Sequence, residues 1–128
     1  CSPWTDLTLS GESIQTNAQE DVMLKVENFI EVAVENVIPE GTTAAQNTIL
    51  FDDVDARFPN TLIIRAGLDI ISDDATRYHH KLDQAKAKST MISYNRLWHD
   101  FPVTNPNLDE SKEVVHAIKE HLFPAEMQ

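Results

Sequence analysis

The sequence predicts an α+β domain, in which a small sheet packs against a long N-terminal amphipathic helix and a C-terminal helix. Three observations favour this class: helical periodicity over residues 12–38, short apolar runs at 61–71 and 90–98, and a second helical stripe from residue 108 onward. A mostly α-helical bundle is the alternative, and it would follow if both short apolar runs were helical.

Length and composition indicate one globular domain. A chain of 128 residues can bury a single core without disulfides or metal ions. We predict an extended leader or tether over residues 1–11 and the globular domain over residues 12–128. Only three glycines occur, which argues against a Gly-rich phosphate loop. No apolar run reaches the roughly 18 residues that a membrane-spanning helix needs.

The first half of the chain contains the longest predicted helix, over residues 12–38. Val22, Val26 and Ile30 recur at helical spacing and share one face. Pro39 and the glycine that follows end the helix. A short strand is predicted next, over residues 47–54.

The second half alternates between strands and helices. The apolar run 61–71, with its four isoleucines, predicts a half-buried strand that bends at Gly67, although helical spacing also fits it. Asp73 or Asp74 can cap the helix that follows. The remaining predicted elements are a strand over 90–98, a loop over 99–107 and an amphipathic helix over 108–123.

Charge is distributed unevenly along this acidic chain, whose formal net charge is −11. Residues 1–56 contain eleven acids and one base, whereas residues 57–99 contain seven bases and four acids. The net charge disfavours binding to nucleic acid or to an anionic membrane surface, because both would repel the protein. Folding could bring these segments together and cancel the asymmetry, or the surface could remain bipolar.

The helix predicted over residues 12–38 carries an acidic face, which consists of Glu20, Glu27, Glu31 and Glu35. Like charges four residues apart destabilise an isolated helix by a few tenths of a kcal/mol, and only Lys25 is near enough in sequence to offset them. A solvated helix face is one interpretation. The other is a binding surface for a protein partner with a basic surface, or for a second copy of the chain.

Two groups of residues have spacings that occur in metal sites. Glu113 and His116 stand three residues apart on a predicted helix, with Glu120 four further on, but no second Glu-x-x-His exists to complete a di-metal site. Asp53 and Asp55 begin like a calcium loop, yet an EF-hand needs Gly and Glu at its sixth and twelfth positions. Those positions are Phe58 and Ile64. No metal or other cofactor is predicted.

The histidines offer weak signs of catalysis. His79 and His80 are adjacent on a predicted helix and point about 100° apart, so surface positions are expected. His99 is followed by Asp100, but a base and its orienting carboxylate need proximity in space rather than in sequence. The chain contains no G-x-S-x-G motif. The sequence therefore predicts no catalytic residue.

The chain begins with Cys1, its only cysteine, so no intramolecular disulfide can form. A first-position Cys, a second-position Ser and a polar tether containing Pro3 resemble the start of mature bacterial lipoproteins. That resemblance implies a lipid on Cys1 as the sole membrane attachment, and an extracytoplasmic location in the cell envelope. Ser2 is compatible with transfer from the periplasm to the outer membrane.

Two other interpretations of Cys1 remain open. It could be a cloning remnant, in which case the protein could be cytoplasmic. It could also be an N-terminal nucleophile that uses its own α-amine as base, but no oxyanion loop or substrate loop is recognisable.

The functional prediction is a non-catalytic envelope lipoprotein, acting as an accessory, assembly or protein-binding factor through its acidic helix face. One alternative is an acidic inhibitor or immunity-type protein that blocks a basic active site. Another is a structural subunit of a homo-oligomeric ring or filament, joined head to tail by oppositely charged segments. The enzyme alternative is a small metalloenzyme.

Overall fold

The computed structural model describes residues 1–26 and 30–127. Its centre is a pair of parallel strands, β1 (Thr61–Ala66) and β2 (Ser89–Tyr94), which pair in register from Thr61 opposite Ser89 to Ala66 opposite Tyr94. Parallel strands need a long crossover connection, and helix α3 (Ser72–Gln84) supplies it. The centre of the molecule is therefore a β-α-β unit.

Helices cover both faces of the two strands. On one face Ile63 packs with Ala75 and Leu82 of α3. On the other face Ile64 packs with residues of the short helix α4 (Phe101–Thr104) and of α5 (Asp109–Leu122), chiefly Phe101 and Val114. Parallel strands between helical layers define an α/β fold. The predicted α+β class is thus wrong, and so is the helical-bundle alternative.

The burial of strand β1 distinguishes the α/β class from the predicted α+β class. The strand predicted within 61–71 is present and ends before Gly67. It was expected to be half-buried, but the neighbours Ile63 and Ile64 are only 4% and 2% exposed, on opposite faces. A strand buried on both faces has a continuous apolar run, and this is typical of parallel sheets.

The long helix predicted over 12–38 is wrong. Within the described residues of this region, 12–26 and 30–38, the α-helical segments are the short helices α1 (Ser13–Thr16) and α2 (Glu31–Val37). Between them, the buried carboxylate of Asp21 accepts hydrogen bonds from the amides of Met23 and Leu24. An aspartate that bonds to nearby amides in this way favours a turn over a continuous helix.

The strand predicted over 47–54 is also wrong. Two 3₁₀ turns occupy the region, Ala45–Asn47 and Ile49–Phe51. Thr48 and Leu50 form hydrogen bonds with the N-terminal segment and not with a neighbouring strand. The Leu7 amide donates to Thr48 Oγ1, and the Leu50 amide donates to the carbonyl of Thr5.

Residues 1–11 contain no helix or strand, but part of this segment is buried against α3. Asp74 Oδ2 accepts the amides of Thr5 and Asp6 at 2.8 and 2.9 Å. The Asp6 carboxylate in turn accepts a hydrogen bond from Arg77 at 2.8 Å. Burial raises the pKa of Asp74 to about 6, against the lowering effect of those two amides.

The C-terminal helix predicted over 108–123 is confirmed as α5, and the strand predicted over 90–98 is confirmed in its first part as β2. The loop predicted over 99–107 contains the single turn of α4. Among the described residues, no helix has both the length and the apolar composition to cross a bilayer.

Candidate active site

Two polar side chains meet where β1 and β2 end. Asp69 lies in the loop between β1 and α3, and His99 lies in the loop between β2 and α4. Because the strands are adjacent and parallel, both loops emerge at the same edge of the sheet. In open α/β sheets, this carboxyl edge is where ligands bind.

Asp69 and His99 form a buried hydrogen-bonded pair. His99 Nδ1 lies 3.0 Å from Asp69 Oδ2, and the two side chains are 18% and 1% exposed. The other carboxylate oxygen, Oδ1, accepts the amide of Ile71 at 2.9 Å. With a hydrogen on Nδ1 donated to Asp69, His99 Nε2 carries a lone pair and can act as a base.

The charges around His99 favour its protonated form. Burial alone would lower the pKa of His99, but the hydrogen bond and charge of Asp69, with the charges of Asp100 and Asp21, raise it above its ordinary value. An imidazolium formed at this position is therefore stabilised, which suits a group that must accept a proton during a reaction.

The two loops are fastened to each other by backbone contacts. The amide of Gly67 donates to the Tyr94 carbonyl, and the amide of Leu68 donates to the Leu97 carbonyl, both at 2.9 Å. A Cβ at Gly67 would lie 2.4 Å from the Asn95 carbonyl oxygen and 2.6 Å from its Cα. Only glycine allows this close approach, so Gly67 helps to set the distance between the two loops.

Asp100 places a second carboxylate beside the histidine. Its Oδ2 lies 3.5 Å from His99 Nε2, and its side chain is 43% exposed. The residue has the left-handed conformation, with φ of 50°, which Asp tolerates better than most residues. Its amide donates to Ser2 Oγ at 3.2 Å.

The glutamates predicted to bind a partner are not part of the Asp69–His99 site. Glu20, Glu31 and Glu35 are exposed, and no ion pair to them is seen within residues 1–26 and 30–127. Glu27 lies outside the described residues. Cys1 is exposed and borders a cleft with Leu62 and His121.

The other chemical candidates do not converge. Glu113, His116 and Glu120 are exposed on α5, and Asp55 pairs with Arg57. Asp53 and His80 are exposed, and His79 Nδ1 bonds with Ser89 Oγ. In the part of the chain that the structure describes, no three His, Cys, Asp or Glu side chains are grouped as for a metal ion.

Sequence reasoning weighed His99 only against its neighbour Asp100, and it missed Asp69. The sequence does contain an indication of the pair. Asp69 is an isolated acid inside an apolar run, and His99 follows the next predicted strand, with a predicted helix between. A β-α-β interpretation would have placed the carboxyl ends of both strands, and hence both residues, at one edge.

Comparison with known proteins agrees with this geometry. A family model described as the alpha/beta hydrolase fold matches residues 1–103. An esterase from Acinetobacter venetianus is 30% identical over 121 residues, which cover 93% of this chain and 39% of that protein. A crystal structure of an esterase from the bacterial hormone-sensitive lipase family has 26% identity and a TM-score of 0.78, covering 94% of this chain and 40% of that one. A hyperthermophilic esterase from the archaeon Pyrobaculum calidifontis, at 22% identity and a TM-score of 0.79, shares the fold.

The chain therefore belongs to the α/β-hydrolase fold family. It spans about two fifths of the length of the relatives that it matches. This membership corrects the functional prediction: the non-catalytic lipoprotein acting as an accessory factor is wrong, and so are the inhibitor and ring-subunit alternatives. A lipid on Cys1, an extracytoplasmic location and a basic protein partner stay predictions.

Proposed function

We propose that this chain supplies the general base and its orienting acid to an ester hydrolase. The observation that carries the proposal is the 3.0 Å contact between His99 Nδ1 and Asp69 Oδ2 at the carboxyl edge of two parallel strands. The similarity to an esterase from Acinetobacter venetianus supports ester hydrolysis as the reaction class.

In this proposal His99 moves the protons of the reaction. Its Nε2 takes the proton from a serine hydroxyl as the serine oxygen attacks the ester carbonyl, and then gives that proton to the leaving alcohol. A second cycle with water releases the acid. Asp69 keeps the hydrogen on Nδ1 and stabilises the transient imidazolium. The order along the chain, Asp69 before His99, agrees with the order Ser, Asp, His of α/β-hydrolases.

The nucleophilic serine is assigned to a segment outside these 128 residues. The chain has no G-x-S-x-G motif. Its nearest approach is the stretch from Gly11 to Gln15, which has Gln15 at the last position. In that stretch Ser13 is 4% exposed, donates its hydroxyl to the Ile70 carbonyl at 2.8 Å and accepts the Asp73 amide at 3.0 Å. Ser13 therefore has a structural role.

The test is an esterase assay on the longest natural polypeptide that contains this sequence. p-Nitrophenyl butyrate is a suitable probe, since a similar solved structure, EstE5, was soaked with it. We expect wild type to hydrolyse the probe and His99→Asn to lose about 10³-fold or more in kcat/KM.

The matched control is His116→Asn, because His116 is an exposed histidine on α5. Its kcat/KM should stay within about twofold of wild type, as for other exposed positions. Full activity in a folded His99→Asn protein would overturn the proposal, as would the absence of ester hydrolysis by wild type.

A further inference from the structure

The loop that carries Asp69 is hydrogen-bonded to a segment about fifty residues earlier in the chain. Asn17 Nδ2 donates to the carbonyl of Gly67 at 2.9 Å and to the carbonyl of Asp69 at 2.8 Å. One side-chain amide thus bonds to the backbone at the closely packed glycine and at the acid itself.

Asp21 bonds to the next residue of the same loop. Its Oδ2 accepts the amide of Ile70 at 3.0 Å, and the residue is fully buried. Its Oδ1 accepts the amides of Met23 and Leu24 at 2.8 and 3.1 Å. Three amide donors satisfy the buried carboxylate, so its orientation is fixed.

The two side chains are also fixed relative to one another. The amide of Asp21 donates to the carbonyl of Asn17 at 3.0 Å, which closes the turn that follows α1. Ser13 at the start of α1 adds a third contact to the loop, through its hydroxyl and the Ile70 carbonyl. Segment 13–21 therefore forms several hydrogen bonds with the backbone of the four-residue stretch 67–70.

We propose that Asn17 and Asp21 are positioning residues for the Asp69–His99 pair, holding loop 67–71 so that the Asp69 carboxylate faces His99 Nδ1. The expected effects on kcat rest on the proposed ester hydrolysis. The expected effects on the Asp69–His99 contact do not. Without Asn17 the Gly67 carbonyl loses this donor and the Asp69 carbonyl keeps only the Ser72 amide, at 3.0 Å. The loop can then rotate away from the histidine.

The diagnostic variant is Asn17→Leu, which removes both N–H donors of the side-chain amide, keeps four side-chain heavy atoms branched at Cγ, and adds no charge. We expect kcat for p-nitrophenyl butyrate to fall by about 10–100-fold, since small misplacements of a catalytic group have effects of that size. KM should change by less than about twofold, because neither residue is proposed to touch the substrate.

A matched control is Asn47→Leu. Asn47 also donates its side-chain amide twice, to Thr42 Oγ1 and to the Thr43 carbonyl, both at 2.8 Å, but in an exposed turn. Loss of amide bonding there should leave kcat unchanged. If Asn17→Leu does not fold, as judged by circular dichroism, Asn17→Ser keeps one donor and serves in its place.

A double-mutant cycle separates positioning from general stabilisation. If Asn17 acts through Asp69, Asn17→Leu should lower kcat by no more than about twofold when Asp69 is already Asn. An equal loss of kcat in both backgrounds would overturn the proposal, because it would show that Asn17 supports activity by another route.

The pKa of His99, followed by NMR of histidine-labelled protein, gives a readout that needs no turnover. Asn17→Leu should lower this pKa in the wild-type background and leave it unchanged in Asp69→Asn. An unchanged pKa in Asn17→Leu would overturn the positioning proposal. If the hydrolysis proposal alone fails, Asn17→Leu still lowers the pKa of His99, but the wild-type protein hydrolyses no ester.

Discussion

The carboxyl edge of the strands and α2, the acidic segment, both contain several acids, but these acids differ in burial and in hydrogen bonding. At the edge, Asp69 and Asp21 are buried and each carboxylate oxygen has a partner. In α2, Glu31 and Glu35 are exposed, and α2 buries none of its residues. A run of acids in a sequence usually indicates a solvent-exposed surface. A buried acid whose oxygens are all hydrogen-bonded indicates a side chain held in one orientation.

The largest effect should come from Asp69→Asn, which keeps the shape of the side chain. The amide would present a hydrogen to His99 Nδ1 and favour the wrong tautomer, so kcat should fall about 10⁴-fold. Esterase kinetics check this. Asp83→Asn, on the exposed surface of α3, is the matched control and should retain activity. Retained activity in Asp69→Asn would remove the distinction between the two regions.

Glycine substitutions in the two regions should both lower stability, but only the one at the carboxyl edge should lower esterase activity. Gly67→Ala would force the Asn95 backbone away, so we expect the unfolding free energy to fall by about 1–3 kcal/mol and most esterase activity to be lost. Gly41→Ala has open space but a φ of +80°, so it should cost about 1–2 kcal/mol in stability and leave activity intact. Denaturant unfolding and esterase assays measure both. Equal activities in Gly67→Ala and Gly41→Ala would show that Gly67 does not set the distance between the two loops.

Asp100→Asn should shift the pH dependence without abolishing activity. The charge of Asp100 is one of those that raise the pKa of His99, and the neutral imidazole is the active form. Removing that charge lowers the pKa, so the acid limb of the kcat/KM profile should move to lower pH. The movement should be smaller than the change of His99 pKa in Asp69→Asn, because Asp100 is more distant and more exposed. A shift to higher pH would refute this reasoning.

The smallest effect should come from Glu31→Gln combined with Glu35→Gln. These exposed glutamates stand four apart, so removing their repulsion should stabilise the protein by about 0.2–0.5 kcal/mol at low salt. Activity should not change. A large loss of turnover in this variant would show that the acidic segment takes part in the reaction after all.

Sequence patterns predicted local elements better than their arrangement. The strand at 61–66 and the helix at 109–122 were predicted because apolar spacing reports burial directly. The long helix over 12–38 was wrong because periodicity cannot reveal that Asp21 turns inward to bond to Ile70, which lies 49 residues further along the chain. The α/β class was missed because strand direction depends on pairing across the sheet.

The candidate site was harder to predict for the same reason. Asp69 and His99 stand 30 residues apart, and only the parallel pairing of β1 and β2 brings them together. The supporting contacts from Asn17 span 50 and 52 residues. No local pattern encodes such distances, although the alternation of strand, helix and strand could have indicated the shared edge.

If His99, held by Asp69, is the base of an ester hydrolase, the titration of its imidazole must govern turnover. Two titrations of the same protein test this directly: the pKa of His99 from NMR, and the pKa of the acid limb of kcat/KM for p-nitrophenyl butyrate. We expect the two values to coincide, to lie above the ordinary histidine value, and to fall together in Asp100→Asn. An acid limb that does not follow the titration of His99 would contradict the assignment of His99 as the base.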